Sequence, residues 1–361
     1  MHVVIAPDSF KGTLTAAEAA ERIAAGWLSV RPRDTVALRP MADGGEGTLD
    51  AFAAVPGSER VPVAVVDAVG RPRESSWLRL PDGTGVVELA DACGIVGLDP
   101  LDPRGAHTTG FGMAIRAALG AGVSRLLLAV GGSASTDCGA GLLVALGARL
   151  VDDFGREVTS PGNAALARVA TVDLSGLLRP PAGGAVVLSD VTNPLLGPLG
   201  AAAVFGPQKG GAGIVDELEL NVGRFAELLG GDAEAAGAGA AGGAGFALQR
   251  WGATTASGAR AVAEAVGLVE ALDGADLVIT GEGRFDSQSA AGKVVSVVRE
   301  LAGDSRVAVV AGRIDAPVDT LAGAVSLWDL AGERALSDAA GVAEEAGRAL
   351  ASRLESQGAL A

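Results

Sequence analysis

Repeatedly in this chain a short apolar run, long enough for a strand and no more, ends in a polar glycine-rich loop and then opens into a helix-forming stretch. Val3 to Ala6 leads into Pro7-Asp8-Ser9-Phe10-Lys11-Gly12, and the capping box Thr15-Ala16-Ala17-Glu18 then starts a helix that runs to about Leu28. Thr35 to Arg39 leads into Met41-Ala42-Asp43-Gly44-Gly45-Glu46-Gly47-Thr48 and a helix to about Val55. Arg125 to Val130 delivers the loop Gly131 to Gly141, followed by a helix through Leu146. Leu277 to Thr280 delivers Gly281 to Lys293, read as a loop that meets a helix from Ala290 to Leu301. Strands that alternate with helices in this way fold as parallel sheets, and their ligands collect beyond the carboxyl ends of the strands.

Between the first two units and the last, the texture changes. Val61 to Val66, Ser76 to Leu80 and Val86 to Leu89 are short strand-like runs broken by Val69-Gly70-Arg71-Pro72 and Pro81-Asp82-Gly83-Thr84-Gly85, a spacing that predicts antiparallel hairpins. The expected fold is therefore α/β with two domains. Residues 1–66 plus 287–361 would form a doubly wound Rossmann-like domain from both chain ends. Residues 67–286 would be an inserted mixed α/β domain, with an active-site cleft between the two. One helix is expected over Ala259 to Leu272. Gly230 to Gly245, nearly all Gly and Ala, reads either as a flexible linker or as a lining where backbone approaches closely.

Composition excludes several function classes. A net charge of −15 over 361 residues speaks against a nucleic-acid partner, which needs a clustered basic face. No apolar run approaches the roughly twenty residues of a membrane span, and the start lacks the pattern of a signal peptide, so no membrane partner is expected. Cys93 and Cys138 have no metal-type spacing, which suits a reducing compartment, and a cytoplasmic location is the expectation. His2 and His107 are too isolated for a His-based catalytic arrangement, and no G-x-S-x-G or trailing-acid G-x-G-x-x-G occurs. Gly283 and Gly292 stand too far apart for a P-loop.

What the loops do carry is a parts list for phosphoryl transfer. Asp8, Asp43, Glu46, Asp137, Asp190, Glu282 and Asp286 can serve Mg²⁺ or act as a general base. Asp190 and Asn193 offer oxygens for a hard cation, or else simply make an Asx-turn before Pro194. Of 28 basic residues only Lys11, Lys209 and Lys293 are lysine, and each lies beside glycine in a polar loop. A compact ammonium suits phosphate oxygens, and the three are expected as exposed loop cations. Ser133, Ser135, Thr136 and Asp137 precede a helix, where backbone N–H and hydroxyl groups can hold an anion.

The same loops resemble the bacterial glycerate kinase family, of the glycerate 2-kinase kind. The matching blocks are Ala6 to Gly12, Ala42 to Thr48, Gly131 to Asp137, Asp190 to Leu195, Phe205 to Gly210, Ala238 to Gly243, and Ile279 to Arg284 with Asp286-Ser287-Gln288. The resemblance covers nearly the whole chain and implies ATP-dependent phosphorylation of D-glycerate, usually to 2-phosphoglycerate, with Mg²⁺. Within that activity Asp190 is favoured as general base, and Lys11 and Arg284 as partners of the glycerate carboxylate. Glu282 and Asp286 are favoured for Mg²⁺, with Asp43 next. Lys209, Lys293 and the loop Ser133 to Gly139, with Ser135, Thr136 and Asp137, would hold phosphates. A small-molecule substrate is the expected partner, and a homo-oligomer is compatible with the sequence. The alternatives are a kinase for another small hydroxy acid and a non-catalytic acid-binding sensor. The chain departs from the family pattern at Ser135-Thr136-Asp137, where Thr-Asn-Asp is frequent, and at Cys138, where Gly is. The region after Gly312 is also short, with Ser326-Leu327-Trp328-Asp329 in place of a longer strand and helix.

Overall fold

The computed structural model describes residues 1–10, 12–286 and 294–356. Along the chain its strands are β1 His2–Pro7, β2 Thr35–Leu38, β3 Glu59–Val66, β4 Pro72–Arg79, β5 Thr84–Glu88, β6 Arg125–Ala129, β7 Arg149–Asp152, β8 Val169–Asp173, β9 Ala185–Leu188, β10 Thr254–Ala256, β11 Leu277–Phe285, β12 Arg306–Ile314 and β13 Gly323–Ser326. They belong to two compact units. Met1–Asp43, Asp50–Val55 and Ala259–Ala361 form the first, and Gly44–Leu49 with Pro56–Gly258 form the second. The boundaries expected from the sequence move accordingly. β3 pairs with β4 and so joins the second unit, while β11 pairs with β1 and takes residues 259–286 into the first.

The first unit holds an all-parallel sheet in the order β13-β12-β11-β1-β2. β1 leads to β2 on one side, whereas β11 leads to β12 on the other, so the strand order reverses between β1 and β11. That reversal point is where open α/β sheets place ligands. Val3, Ile5, Ile279 and Val310 pack with Ile23, Trp27, Val342 and Leu350 of two helices, Ala16–Val30 and Ala339–Ser356. The first helix starts at the expected capping box, Glu18 N–H donating to Thr15 Oγ1 at 3.2 Å and Thr15 N–H to Glu18 Oε2 at 3.0 Å. The helices touch backbone to backbone: a Cβ on Gly26 would lie 1.9 Å from Glu344 O, and one on Gly347 would lie 2.2 Å from Ile23 O.

β11 departs from its expected form. The residues read as a loop from Gly281 onward continue the strand to Phe285, which runs beside β12. A Cβ on Gly281 would meet Val310 O at 1.8 Å, so glycine here admits a neighbouring strand and makes no turn. The helix expected over Ala259 to Leu272 is two, Gly258–Ala265 and Leu268–Leu272, separated by left-handed Gly267 (φ 66°). A later helix is described over Val294–Ala302.

In the second unit a six-stranded sheet runs β10-β9-β6-β5-β4-β3. β10, β9, β6 and β5 are mutually parallel, and β4 and β3 add the expected antiparallel hairpins. The carboxyl ends of β5, β6, β9 and β10 therefore share one edge. β7 and β8 form a separate antiparallel pair that the sequence did not announce. The Gly/Ala stretch is not a linker: Ala238 to Ala247 is mostly buried, and past a kink at Ala241–Gly243 it leads into a helix that ends at Trp251. Across the sheet lies a core that includes Trp77, Phe111, Leu128, Leu142, Phe225 and Phe246.

Candidate active site

Beyond β6 the loop from Gly131 to Gly139 is fixed from every side. Gly131 N–H donates to Gly44 O at 3.0 Å, and Ile95 N–H to Gly132 O at 2.9 Å. Asn163 Nδ2 donates to Thr136 O at 2.8 Å and to Leu218 O at 3.0 Å, while its own Oδ1 accepts from Asn221 Nδ2. Asp137, fully buried, accepts from Thr108 N–H (2.8 Å), Thr108 Oγ1 (2.7 Å), Gly141 N–H (3.1 Å) and Gly139 N–H (3.3 Å). Its carboxylate thus ties the starts of two helices, Thr109–Gly120 and Ala140–Ala145, where the helix dipoles favour negative charge. Cys138 stands at φ 52°, in the left-handed region that glycine enters without strain, and its N–H donates to Gly242 O. Ala241, Gly242 and Gly243 are themselves left-handed, which brings Gly242 so close that a Cβ there would lie 2.0 Å from Ser135 O. The second of the two readings of the Gly/Ala stretch is the one seen.

Lys209 closes this arrangement. It ends a single turn of 3₁₀ helix, Pro207–Lys209, and is only 3 % exposed, so the exposed loop cation expected from sequence is a buried one. Its Nζ donates to Ser133 Oγ at 2.7 Å and to Ser135 O at 2.6 Å. Two of its three ammonium donors are used, and the third has no partner among the described residues. Burial pushes its pKa down from 10.5 to about 8, against the opposing pull of the Asp137 charge. Ser133 Oγ accepts from the lysine and keeps its own hydrogen to donate. Thr136 Oγ1 and Thr109 Oγ1 are buried without a partner among the described residues. Donors that face no protein acceptor, on a loop that cannot relax, are what an anion would find.

Next to this loop lies Glu88, which sequence reasoning missed. It is 4 % exposed at the end of β5 and accepts from Gly47 N–H at 3.2 Å and Leu49 N–H at 2.8 Å. Gly44 packs so tightly that a Cβ would meet Leu188 O at 2.4 Å, and Thr48 Oγ1 donates to Gly45 O. The acidic loop Gly44–Leu49 is thus moulded onto the strand ends. At the end of β9, Ser189 N–H donates to Ala256 O, and Val191 N–H donates to Ser189 Oγ, a turn that presents the half-buried Asp190. Asn193 spends its amide nitrogen on Leu199 O.

In the first unit, Asp8 follows β1 and Glu282 lies in β11, the strand that pairs with β1. Asp8 N–H donates to Gly281 O at 2.8 Å, and Asp8 Oδ1 accepts from Ser9 N–H. Both carboxylates are buried, at 7 % and 8 % exposure. Ser9 Oγ is buried with no partner among the described residues. Met41 N–H is held by Pro7 O, and Asp43 follows, half-buried. Asp286 is half-buried. Arg284 is exposed, and its Nε donates to Asp315 Oδ2 at 2.7 Å. Lys11 and Lys293 lie outside the described residues. The structure therefore brings Ser133, Ser135, Thr136, Asp137 and Lys209 together in the second unit, and Asp8 and Glu282 in the first. Thr108, Asn163, Asn221 and Glu88 went unnoticed because nothing local marks them; they matter through partners dozens of residues away.

The sequence profile of the glycerate kinase family matches residues 3–355. The chain is 43 % identical over 337 residues to a glycerate kinase of Bacillus subtilis, covering 90 % of this chain and 86 % of that one. It is 41 % identical over 307 residues to a glycerate 2-kinase of Escherichia coli, covering 81 % and 80 %. A crystal structure from Salmonella typhimurium LT2, named provisionally as glycerate kinase 2, superposes with a TM-score of 0.83 at 37 % identity, covering 99 % of both chains.

Proposed function

The chain belongs to the glycerate kinase family, and from that premise we propose that it transfers the γ-phosphoryl group of ATP to D-glycerate, giving 2-phosphoglycerate, with Mg²⁺. The observation that supports the phosphoryl-binding part most is the buried Lys209 with its spare donor on the clamped loop Ser133–Thr136. Phosphoryl transfer needs little covalent help from the protein and much positioning of donors around oxygen. A fixed loop with hydroxyls, closed by an ammonium that keeps one donor to spare, suits that task.

Asp190 is the proposed base. The glycerate hydroxyl oxygen bonds to the γ-phosphorus as the bond to the ADP oxygen breaks, and the hydroxyl proton passes to the Asp190 carboxylate. Asp137, with every oxygen engaged by the backbone and Thr108, acts on this reading by fixing the loop, without touching phosphate. Arg284 and the two lysines outside the described residues, Lys11 and Lys293, remain proposed partners of substrate anions. Among the described residues no group of three or more His, Cys, Asp or Glu is placed to hold a metal ion by itself. Mg²⁺ is usually held by one or two carboxylates together with substrate phosphates and its own waters. The buried Glu282, beside the buried Asp8 that follows the neighbouring strand, is a donor set of that kind, whereas Asp286 lies four extended residues further on, roughly 13 Å away, and would reach such an ion only through water. Bound there, the ion would offset negative charge on the transferred group.

Incubating the purified chain with ATP, Mg²⁺ and a panel of small hydroxy acids tests the reading. D-glycerate should give the highest kcat/KM. A different preferred acid would favour the broader kinase, and binding without turnover would favour a sensor.

A further inference from the structure

We propose that a cavity of about 220 Å³ in the first unit takes the heteroaromatic base of the nucleotide; this rests on the kinase reading above. The cavity is walled by successive strand ends. Phe10 comes from the loop after β1, Arg284 from the end of β11, Gly312 and Arg313 from the end of β12, and Leu327 and Trp328 from the helix Leu327–Ala331 after β13. It therefore sits at the carboxyl edge of a parallel sheet, the edge that takes ligands in folds of this class.

Its chemistry selects a flat ring. Phe10 and Leu327, 2 % and 1 % exposed, give an apolar floor, and the Arg313 guanidinium lies 4.0 Å from the centroid of the Trp328 ring. A guanidinium held against an aromatic ring is a ready stacking plane for another π-system. A Cβ on Gly312 would lie 2.4 Å from Gly283 O, so this edge has no room for a side chain and leaves the space to a flat ligand. The volume falls below the roughly 300–1,000 Å³ of sites that enclose a whole drug-sized ligand, and so matches one ring system. Glycerate, a three-carbon acid with two hydroxyls, has no surface to match an apolar and aromatic lining. Leu327 and Trp328 form part of this wall.

Tryptophan emission tests the assignment on the full chain. Trp27, Trp77 and Trp251 are 0 %, 1 % and 6 % exposed, whereas Trp328 is only half-buried. ADP and adenosine should each change the emission, inorganic pyrophosphate should not, and Trp328→Phe should abolish the change. Arg313→Ala should raise the ADP Kd and the KM for ATP about tenfold with kcat little altered. Arg299→Ala, in a larger groove of about 830 Å³ on the same unit, should leave both at parent values. If the chain turns over ATP while Trp328 ignores ADP, or if the loss falls on Arg299→Ala, the base binds elsewhere and the proposal is overturned. If adenosine perturbs Trp328 but no ATP is consumed with D-glycerate, the pocket stands and the kinase reading falls.

Discussion

Lys209 shows how one residue can cost stability and still be kept. Its pKa lies near 8 in the folded chain against 10.5 when free, so between those values the unfolded chain binds a proton that the folded chain does not. Stability then rises with pH across that window, and the cost is full below pH 8. The difference is about 3 kcal/mol. Lys209→Met removes the buried charge but also leaves Ser135 O without its donor, a loss of about 1–3 kcal/mol. We expect a variant at least as stable as the parent at pH 7, with kcat/KM at least tenfold lower. Denaturant unfolding at pH 7 and pH 10 should show the advantage of the variant shrinking as pH rises; an advantage that grows with pH would reverse the sign argued here. If the charged form holds the anion, kcat/KM of the parent should fall as pH rises through about 8. Asp190→Asn keeps shape and removes basicity, so kcat should drop roughly 10²-fold with KM little changed. Near-normal turnover would remove Asp190 from the role of base.

At the scale of elements, the strand-end loops work because other elements press on them. Gly242 has φ +68° and meets Ser135 O, so Gly242→Ala must either strain the backbone or push the anion loop out of place. A loss of about 2–4 kcal/mol and at least a tenfold fall in kcat/KM are expected. Gly213→Ala, at a site with no atom within 4 Å, should be silent. Equal effects on the two would show that the close approach does not matter. This element also marks where sequence reading ran out. Alternation of apolar runs with glycine loops is local, so β1, β2, β6 and their loops could be read directly. Gly281-Glu282-Gly283 read as a turn because glycine serves turns and close strand approach alike, and only the position of β12 distinguishes them. Glu88, Asn163 and Thr108 had no signal at all, since each gains its role by meeting a segment remote in sequence.

For the molecule as a whole, a net charge of −15 in a chain proposed to bind two anions means that attraction must be built locally. Buried donors on a fixed loop achieve this without a positive global field. The alternation of strands and loops was enough to expect both sheets, but not to place the borders between the units, because 259–286 is joined to the first by β11 pairing with β1. The central claim is a phosphoryl group placed on one hydroxyl of D-glycerate, and the product answers it most directly. With ATP, Mg²⁺ and D-glycerate, the reaction coupled to enolase alone should yield phosphoenolpyruvate at the rate of ATP consumption. Signal that appears only after phosphoglycerate mutase is added would place the phosphate on the other hydroxyl, and no ATP consumption under either condition would contradict the account.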